Sequence, residues 1–448
     1  MVLERHQLGS LPAEILDNIG RWLPKSDLGN LRLSNRHCAA VLTQLLVRDI
    51  EVMHTLKSMQ NLQHLSLHPT LCQYVRSVNY FSPVLEYMEE NDVWQRIFDH
   101  LLPENEEWPT EVVEEVRRIS KETQLIYRRL AMEQDAMDRD RTCSLTLAQA
   151  ASRFTKLQEI SVQTHCYDRT VRPQILVKVD NPPRTIDYDL FAEYDGYQQY
   201  QNKDTLHDIA LMAAASESLE TFKIYDVYWY SLNANPPLSL SPRAPFHSNL
   251  KNISLKFAPW ISFFDGSGSE HEMGMQQELG KLLARATGLR SLTLQFERQR
   301  SGRDLKTRAS VPETIPILLE NVLGSTTFEY LHRLEMSNMT SSYSMLVEYL
   351  ERHASSLRTL SLHDLYLTDG EDGVYLHEIL PSLHSSLRLE EARLTGMWGS
   401  ARREDDYTYT MDMKGSEARV IEKWLVAKAT SAPSDLAFPK IEKLPYNK

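Results

Sequence analysis

Two stretches begin in the order that zinc-protease helices use: HEMGM at residue 271 and HEILP at residue 377 each place a glutamate after a histidine. That chemistry needs a second histidine one helical turn on, so that two imidazoles share a face and hold the ion. Neither stretch supplies it. DGSGSE at 265–270 has its glycines and serines in the wrong frame for a nucleophile elbow, and no phosphate-binding lysine follows it. His165 and Cys166 suggest a nucleophile pair, but neighbours on an extended strand point to opposite faces. Carboxylates are too numerous for any pair to stand out. The chain therefore reads as a non-enzyme, with no catalytic residue, cofactor-binding residue, cofactor or metal ligand assigned.

Residues suited to binding another protein are better represented. DVYWYSLNANPP carries Trp229 between two tyrosines, KFAPWISFFDG carries Trp260, Phe263 and Phe264, and TGMWGSARREDDYTYT carries Trp398. ERQRSGRDLKTR concentrates Arg298, Arg300, Arg303 and Arg308. Aromatic side chains and arginines dominate protein-binding hot spots. The substrate-binding candidates are Trp229, Trp260, Phe264, Arg300 and Trp398. The competing reading makes Trp260 and Phe264 core residues under their loops and the arginines a flexible charged loop.

Those loops all follow one recurring phrase: LQEISV at 157, LETFKI at 219, LKNISL at 250, LRSLTL at 289, LHRLEM at 331, LRTLSL at 357 and LEEARL at 389. Most copies come after a helical segment: HDIALMAAAS, MQQELGKLLARA, ETIPILLENVL, SMLVEYLERHA and GVYLHEILPSL. A short L-x-x-L-x-L strand alternating with a helix is the signature of leucine-rich repeats. The first, fourth and sixth residues should point into a shared core, and the third, fifth and seventh should project from a parallel strand face. No unit buries its own apolar side, so units must stack. Stacking would collect the aromatic loops on one edge and leave a mostly small, polar strand face. GSEARVIEKWLVAKAT, with Ile421, Trp424 and Leu425 at helical spacing, is placed to cap the last repeat. A further L-x-x-L-x-L run, Leu62 to Leu67, and Val75 to Tyr80 read as earlier strands. Between them and the repeats, residues 84–115 hold eleven acids against one base, Arg96, and a charged helical arm follows.

At the start, Leu8 to Leu46 reads as three short amphipathic helices. Ser10, then Ser26 or Asp27, then Ser34 are the candidate caps, with Pro12 in the first turn and Pro24 as a stop. About forty residues make a marginal core, which points to a module completed by a partner.

The run LP-x-E-I-L-x-x-I, then L-P-x-x-D-L, then L-R-L-S-N-R resembles the F-box. This module docks ubiquitin-ligase substrate receptors on a Skp-family adaptor. The resemblance covers about residues 8–50 and implies adaptor-facing roles for Leu11, Pro12, Ile15, Ile19, Leu28 and Leu31. Gly20, within the first helix, costs it about 1 kcal/mol relative to alanine.

The implied fold is α/β: a three-helix F-box (8–50), a linker region with the first strands and a charged arm (51–145), an irregular leucine-rich-repeat solenoid of parallel strands and outer helices with a capping helix (146–430), and an extended tail (431–448). The order resembles F-box proteins with leucine-rich repeats. It implies the substrate-recognition subunit of an SCF-type cullin–RING ubiquitin ligase, with the adaptor, a cullin–RING assembly and a target protein as partners. The alternative is a scaffold that uses the adaptor outside any ligase. A net charge of −12 argues against a nucleic-acid partner. Four scattered cysteines suit reduced thiols better than a disulfide framework or a zinc site. The absence of a signal sequence or an apolar span predicts a chain in the cytoplasm or nucleus, not in a membrane.

Overall fold

Prolines punctuate the first helices, and they do so as caps. A computed structural model of the protein describes residues 11–82, 125, 128–163, 205–228, 246–258, 268–296, 317–367, 376–400, 409–413 and 415–426. In it α1 (Ala13–Arg21) and α2 (Lys25–Arg32) start from Pro12 and Pro24, whose extended backbones turn the chain and whose carbonyls accept the first helical N–H bonds. Ser26 and Asp27 lie inside α2, and Ser10 falls outside the described residues. α3 (Arg36–Arg48) is capped by Asn35, not Ser34: Asn35 is extended and its side chain accepts the Cys38 N–H at 2.8 Å. Ser34 instead donates to the Leu31 carbonyl at 2.7 Å.

Leu16, Leu28, Cys38, Val41 and Leu42 form the core of this module. Gly20 has a packing reason that its helix propensity hides. A β-carbon there would meet Leu45 at 2.6 Å and Leu42 at 2.8 Å, so glycine lets α1 lie against α3.

The chain divides into two compact units, Met1–Leu157 with Val162–Ser216, and Gln158–Ser161 with Glu217–Lys448. Beyond the helical module the first unit contains β1 (Asp49–Met53) and β2 (Ser77–Phe81), paired in parallel across α4 (Leu56–Leu67). Here one expectation is corrected: Leu62 to Leu67 is helix, not strand. Met59, Leu62 and Ser66 are buried on one helical stripe, Leu67 is exposed, and Thr55 caps the helix through the Ser58 N–H. The L-x-x-L-x-L spelling fits a helix as well as a strand, and the stripe of buried positions decides for the helix. Residues 128–139 are helical, followed by α5 (Thr142–Arg153), which packs on α4 and on α6 (Thr205–Ala214), and the strand β3 (Glu159–Gln163) comes after α5 in the chain. The acidic run at 84–115 lies outside the described residues.

The second unit is a parallel ladder of β4 (Thr221–Tyr228), β5 (Asn252–Ala258), β6 (Ser291–Phe296), β7 (Arg333–Ser337), β9 (Thr359–His363) and β11 (Glu391–Ser400), in that order. In every copy of the phrase the first, fourth and sixth residues are buried, as in Leu289, Leu292 and Leu294, each 0% exposed. The copies are also joined alike. The carbonyl of the second residue accepts the N–H groups of the second and third residues of the next copy, at 2.7–3.1 Å, at each step from Gln158 to Glu391. A mixed α/β architecture with a parallel sheet is what the leucine spacing predicts.

Helices α7 (Gly268–Leu283), α8 (Leu319–Val322), α9 (Tyr343–Arg352), α10 (Leu376–Ser386) and α11 (Gly415–Val426) pack each on the next. Of the helix expected over ETIPILLENVL, residues 313–316 lie outside the described residues, and in the rest α8 spans four residues. Leu318 before it bridges to Thr340 instead, and the buried Gln276 of α7 accepts from the Leu318 N–H at 2.9 Å and the Asn321 amide at 3.1 Å. α11 covers β11: Ile421, Trp424 and Leu425 are buried, Trp424 stacks on His384 at 4.1 Å, and Glu422 accepts the Leu394 N–H at 3.0 Å. An open strand edge is thereby closed by a helix.

The last three copies end in a kink that the leucine spacing does not announce. Asn338, Asp364 and Gly396, each the eighth residue of its phrase, have positive φ. These are the residue types that tolerate the left-handed region. The turned chain adds a second parallel ladder, β8 (Thr340–Ser341), β10 (Tyr366–Leu367) and the end of β11.

Candidate docking surfaces

Apolar side chains that a module's own core leaves bare are candidates for a partner's core. In the three-helix module Ile15 is 46% exposed, Leu33 75% and Trp22 88%. Pro12 is exposed, and Ile19 is half-buried on the same short helix segment. Leu11 and Leu31 pack partly against the core cluster. Leu28 is 5% exposed and sits inside that cluster, so it supports the surface from within and does not form it. The structure thus brings Pro12, Ile15 and Ile19 to the surface and adds Trp22 and Leu33. Leu33 was missed because it follows α2 as its C-cap, where helical periodicity no longer says which way a side chain points.

The strand face of the second unit is built differently. Register places Lys223, Ser254, Thr293, Glu335, Ser361 and Arg393 in one row. Its charged members hold one another. Lys223 lies 2.7 Å from Glu159, Gln295 donates to Glu335 at 2.5 Å, and Arg333 approaches Glu335 at 3.3 Å. His363 meets Asp364 at 2.8 Å and Thr395 at 2.9 Å, and Lys256 lies over the Tyr225 ring at 5.6 Å. Thr293 is only 9% exposed, covered by neighbours in the row. A partner on this face would have to exchange polar contacts already made, which yields little net free energy per contact.

At the entry of the strands, Gln158, Glu217, Glu220, Lys251, Arg290 and Tyr330 line a cleft of about 480 Å³. Lys251 and Glu220 pair across it at 2.5 Å, so neither sign of charge prevails there.

Of the loop residues expected to hold a target, Trp229, Trp260, Phe264 and Arg300 lie outside the described residues. Trp398 is placed by its backbone alone, and that placement is a correction: it lies on a strand. β11 and β12 (Tyr409–Met413) form an antiparallel pair in which Trp398 is opposite Met411. Gly396 opens this hairpin at φ +78°, and a β-carbon there would run into the Asp364 carboxylate. Glycine was present in TGMWGS, but its presence does not by itself distinguish a loop from a kink between two strand segments.

One polar cluster in the first unit was invisible in the sequence. His54, Tyr80, Cys143 and Asp208 are all 2% exposed or less, and His54 Nε2 is 3.0 Å from Asp138 Oδ1. Ser144 donates to Asp208, and Gln134 donates to the His54 carbonyl at 2.9 Å. Burial, reinforced by Asp208 and Asp138, pushes the Cys143 thiol up to about 12 and raises Tyr80 well above the usual phenol range. A thiol in that state is not a nucleophile. The residues come from five separate stretches, so no local motif could have announced them.

Among the described residues no helix is long and apolar enough to cross a membrane. No protein-family model matches the chain, and no curated protein matches it.

Proposed function

We propose that the chain is a substrate receptor of an SCF-type cullin–RING ubiquitin ligase: its three-helix module docks on a Skp-family adaptor, and its leucine-rich repeats hold a target protein. The observation that carries the reading is the exposure of Pro12, Ile15, Trp22 and Leu33, which all lie within the segment that resembles the F-box. Burying a side chain such as Ile15 or Trp22 contributes about 1.5–3 kcal/mol. Two or three of them would supply the anchoring apolar contacts of a docking surface without any charged anchor. The receptor makes and breaks no bonds. It raises the effective concentration of the target's lysines near the charged ubiquitin-conjugating enzyme.

The test is calorimetry of the full chain with a Skp-family adaptor, followed by recovery of the tagged chain from cells. Ile15→Ser with Trp22→Ser should weaken adaptor binding about a hundredfold or more, equivalent to ~2.7 kcal/mol, with thermal stability unchanged. Adaptor, cullin and RING subunits recovered together support the ligase reading. Recovery of adaptor alone supports a scaffold, and an adaptor that fails to bind the unaltered chain rejects both.

A further inference from the structure

The buried polar cluster of the first unit has the donor set of a metal site. His54 follows β1, Asp138 lies near the end of the helical stretch 128–139, and Cys143 opens α5. One imidazole nitrogen, one carboxylate oxygen and one sulfur from these residues lie within 4.8 Å of one another.

An independent observation points the same way. The His54 ring is 1% exposed, yet neither nitrogen makes a hydrogen bond of proper geometry, although Nε2 stands 3.0 Å from Asp138. A buried imidazole left so costs stability unless another group takes its lone pair. Asp138 and the buried Asp208 both act on Cys143, and their negative charge favours a cation at this place.

We infer that His54, Asp138 and Cys143 bind a divalent transition-metal ion, with zinc the best match to the donors. Nitrogen, oxygen and thiolate sulfur at the corners of a tetrahedron suit zinc, whereas magnesium and calcium take oxygen donors. Binding exchanges a proton for the metal: the Cys143 S–H bond breaks, an S–metal bond forms, and the proton leaves to solvent. The surroundings already hold the ligands in place. Gln134 fixes the His54 backbone by donating to its carbonyl at 2.9 Å. The ion would tie the chain after β1 to the two helical segments beyond the acidic run. This role is structural and separate from the bare apolar surface of the N-terminal helices.

Full-length protein is stripped with a chelator and titrated with zinc, then with cobalt as a spectroscopic probe. One ion per chain, a higher melting temperature, a proton released on binding and a thiolate-to-cobalt charge-transfer band are expected. Cys143→Ser should abolish the band and Cys72→Ser should keep it. Asp138→Asn, at a partly exposed position expected to fold even if Cys143→Ser does not, should weaken zinc binding roughly tenfold or more. The assignment is overturned if the unaltered chain shows no thiolate band, if the band survives Cys143→Ser, or if Asp138→Asn binds zinc as tightly as the unaltered chain.

Discussion

The three-helix module and the strand ladder face the same problem, a short apolar segment that cannot enclose itself, and they differ in how it is met. Each strand phrase buries its three apolar residues completely because an equivalent phrase lies beside it, as at Leu331, Leu334 and Met336, all 0% exposed. Among the described residues the module has no neighbour of its own kind, and it leaves Trp22 at 88% and Leu33 at 75% exposed. Repetition supplies each phrase with a partner from within the chain. A lone unit needs one from outside or carries its apolar surface in water. The contrast also sorts the effects of mutation: in the ladder apolar residues should govern stability, and on the bare surface they should govern binding.

The largest effect expected is in the ladder. Leu292→Ala should cost ~2–5 kcal/mol in a denaturant titration, while Thr293→Ala, the next residue on the opposite face, should cost well under half of that. Equal losses would break the distinction between buried and facing positions. Next comes the kink. Gly396→Ala should cost ~1–3 kcal/mol, because the left-handed backbone and the Asp364 carboxylate both exclude a β-carbon. Asp364→Gly, which relieves a left-handed non-glycine residue, should cost less, and the reverse ranking would remove the kink as a constraint.

A smaller, pH-dependent effect is expected at His353. Its Nε2 accepts the Phe328 N–H at 3.0 Å and its Nδ1 donates to the Tyr349 carbonyl at 2.8 Å, so the ring is neutral. Burial lowers its pKa, and the Arg352 charge adds to that. The unfolded chain takes up the proton near pH ~6.5, the folded chain only at lower pH. The contribution to stability is therefore full above that pH and is lost as pH falls through the interval. Melting temperatures between neutral and mildly acid pH should show this slope, flattened in His353→Gln; an unchanged slope in the variant would assign the pH dependence elsewhere. The smallest stability effect belongs to the bare surface. Ile15→Ser and Trp22→Ser should each shift stability by less than ~0.5 kcal/mol. A large loss at either would mean that the side chain is packed, and the comparison with the ladder would fail.

Legibility followed periodicity. The seven phrases were readable because burial alternates in a strand and the same leucine pattern returns, and α11 was readable because its buried stripe repeats at helical spacing. Leu62 to Leu67 was misread because six residues of leucine pattern satisfy helix and strand alike. The caps at Pro12, Pro24 and Asn35 were misplaced by one or more residues, since several polar or proline residues near each helix start meet the same composition rule. Backbone geometry, not composition, chooses among them.

By itself the sequence determined which side chains must be buried, that the strands are short and stacked, and that the first helices lack enough core of their own. Those conclusions depend on near neighbours along the chain, where spacing dictates direction. Tertiary structure decided that Leu28 is core while Trp22 is surface, that Asn338, Asp364 and Gly396 turn the chain into a second ladder, and that His54, Asp138 and Cys143 meet. His54 and Cys143 stand about ninety positions apart in the sequence. A contact at that distance leaves no local pattern, because it depends on how whole elements pack and not on which residues stand side by side.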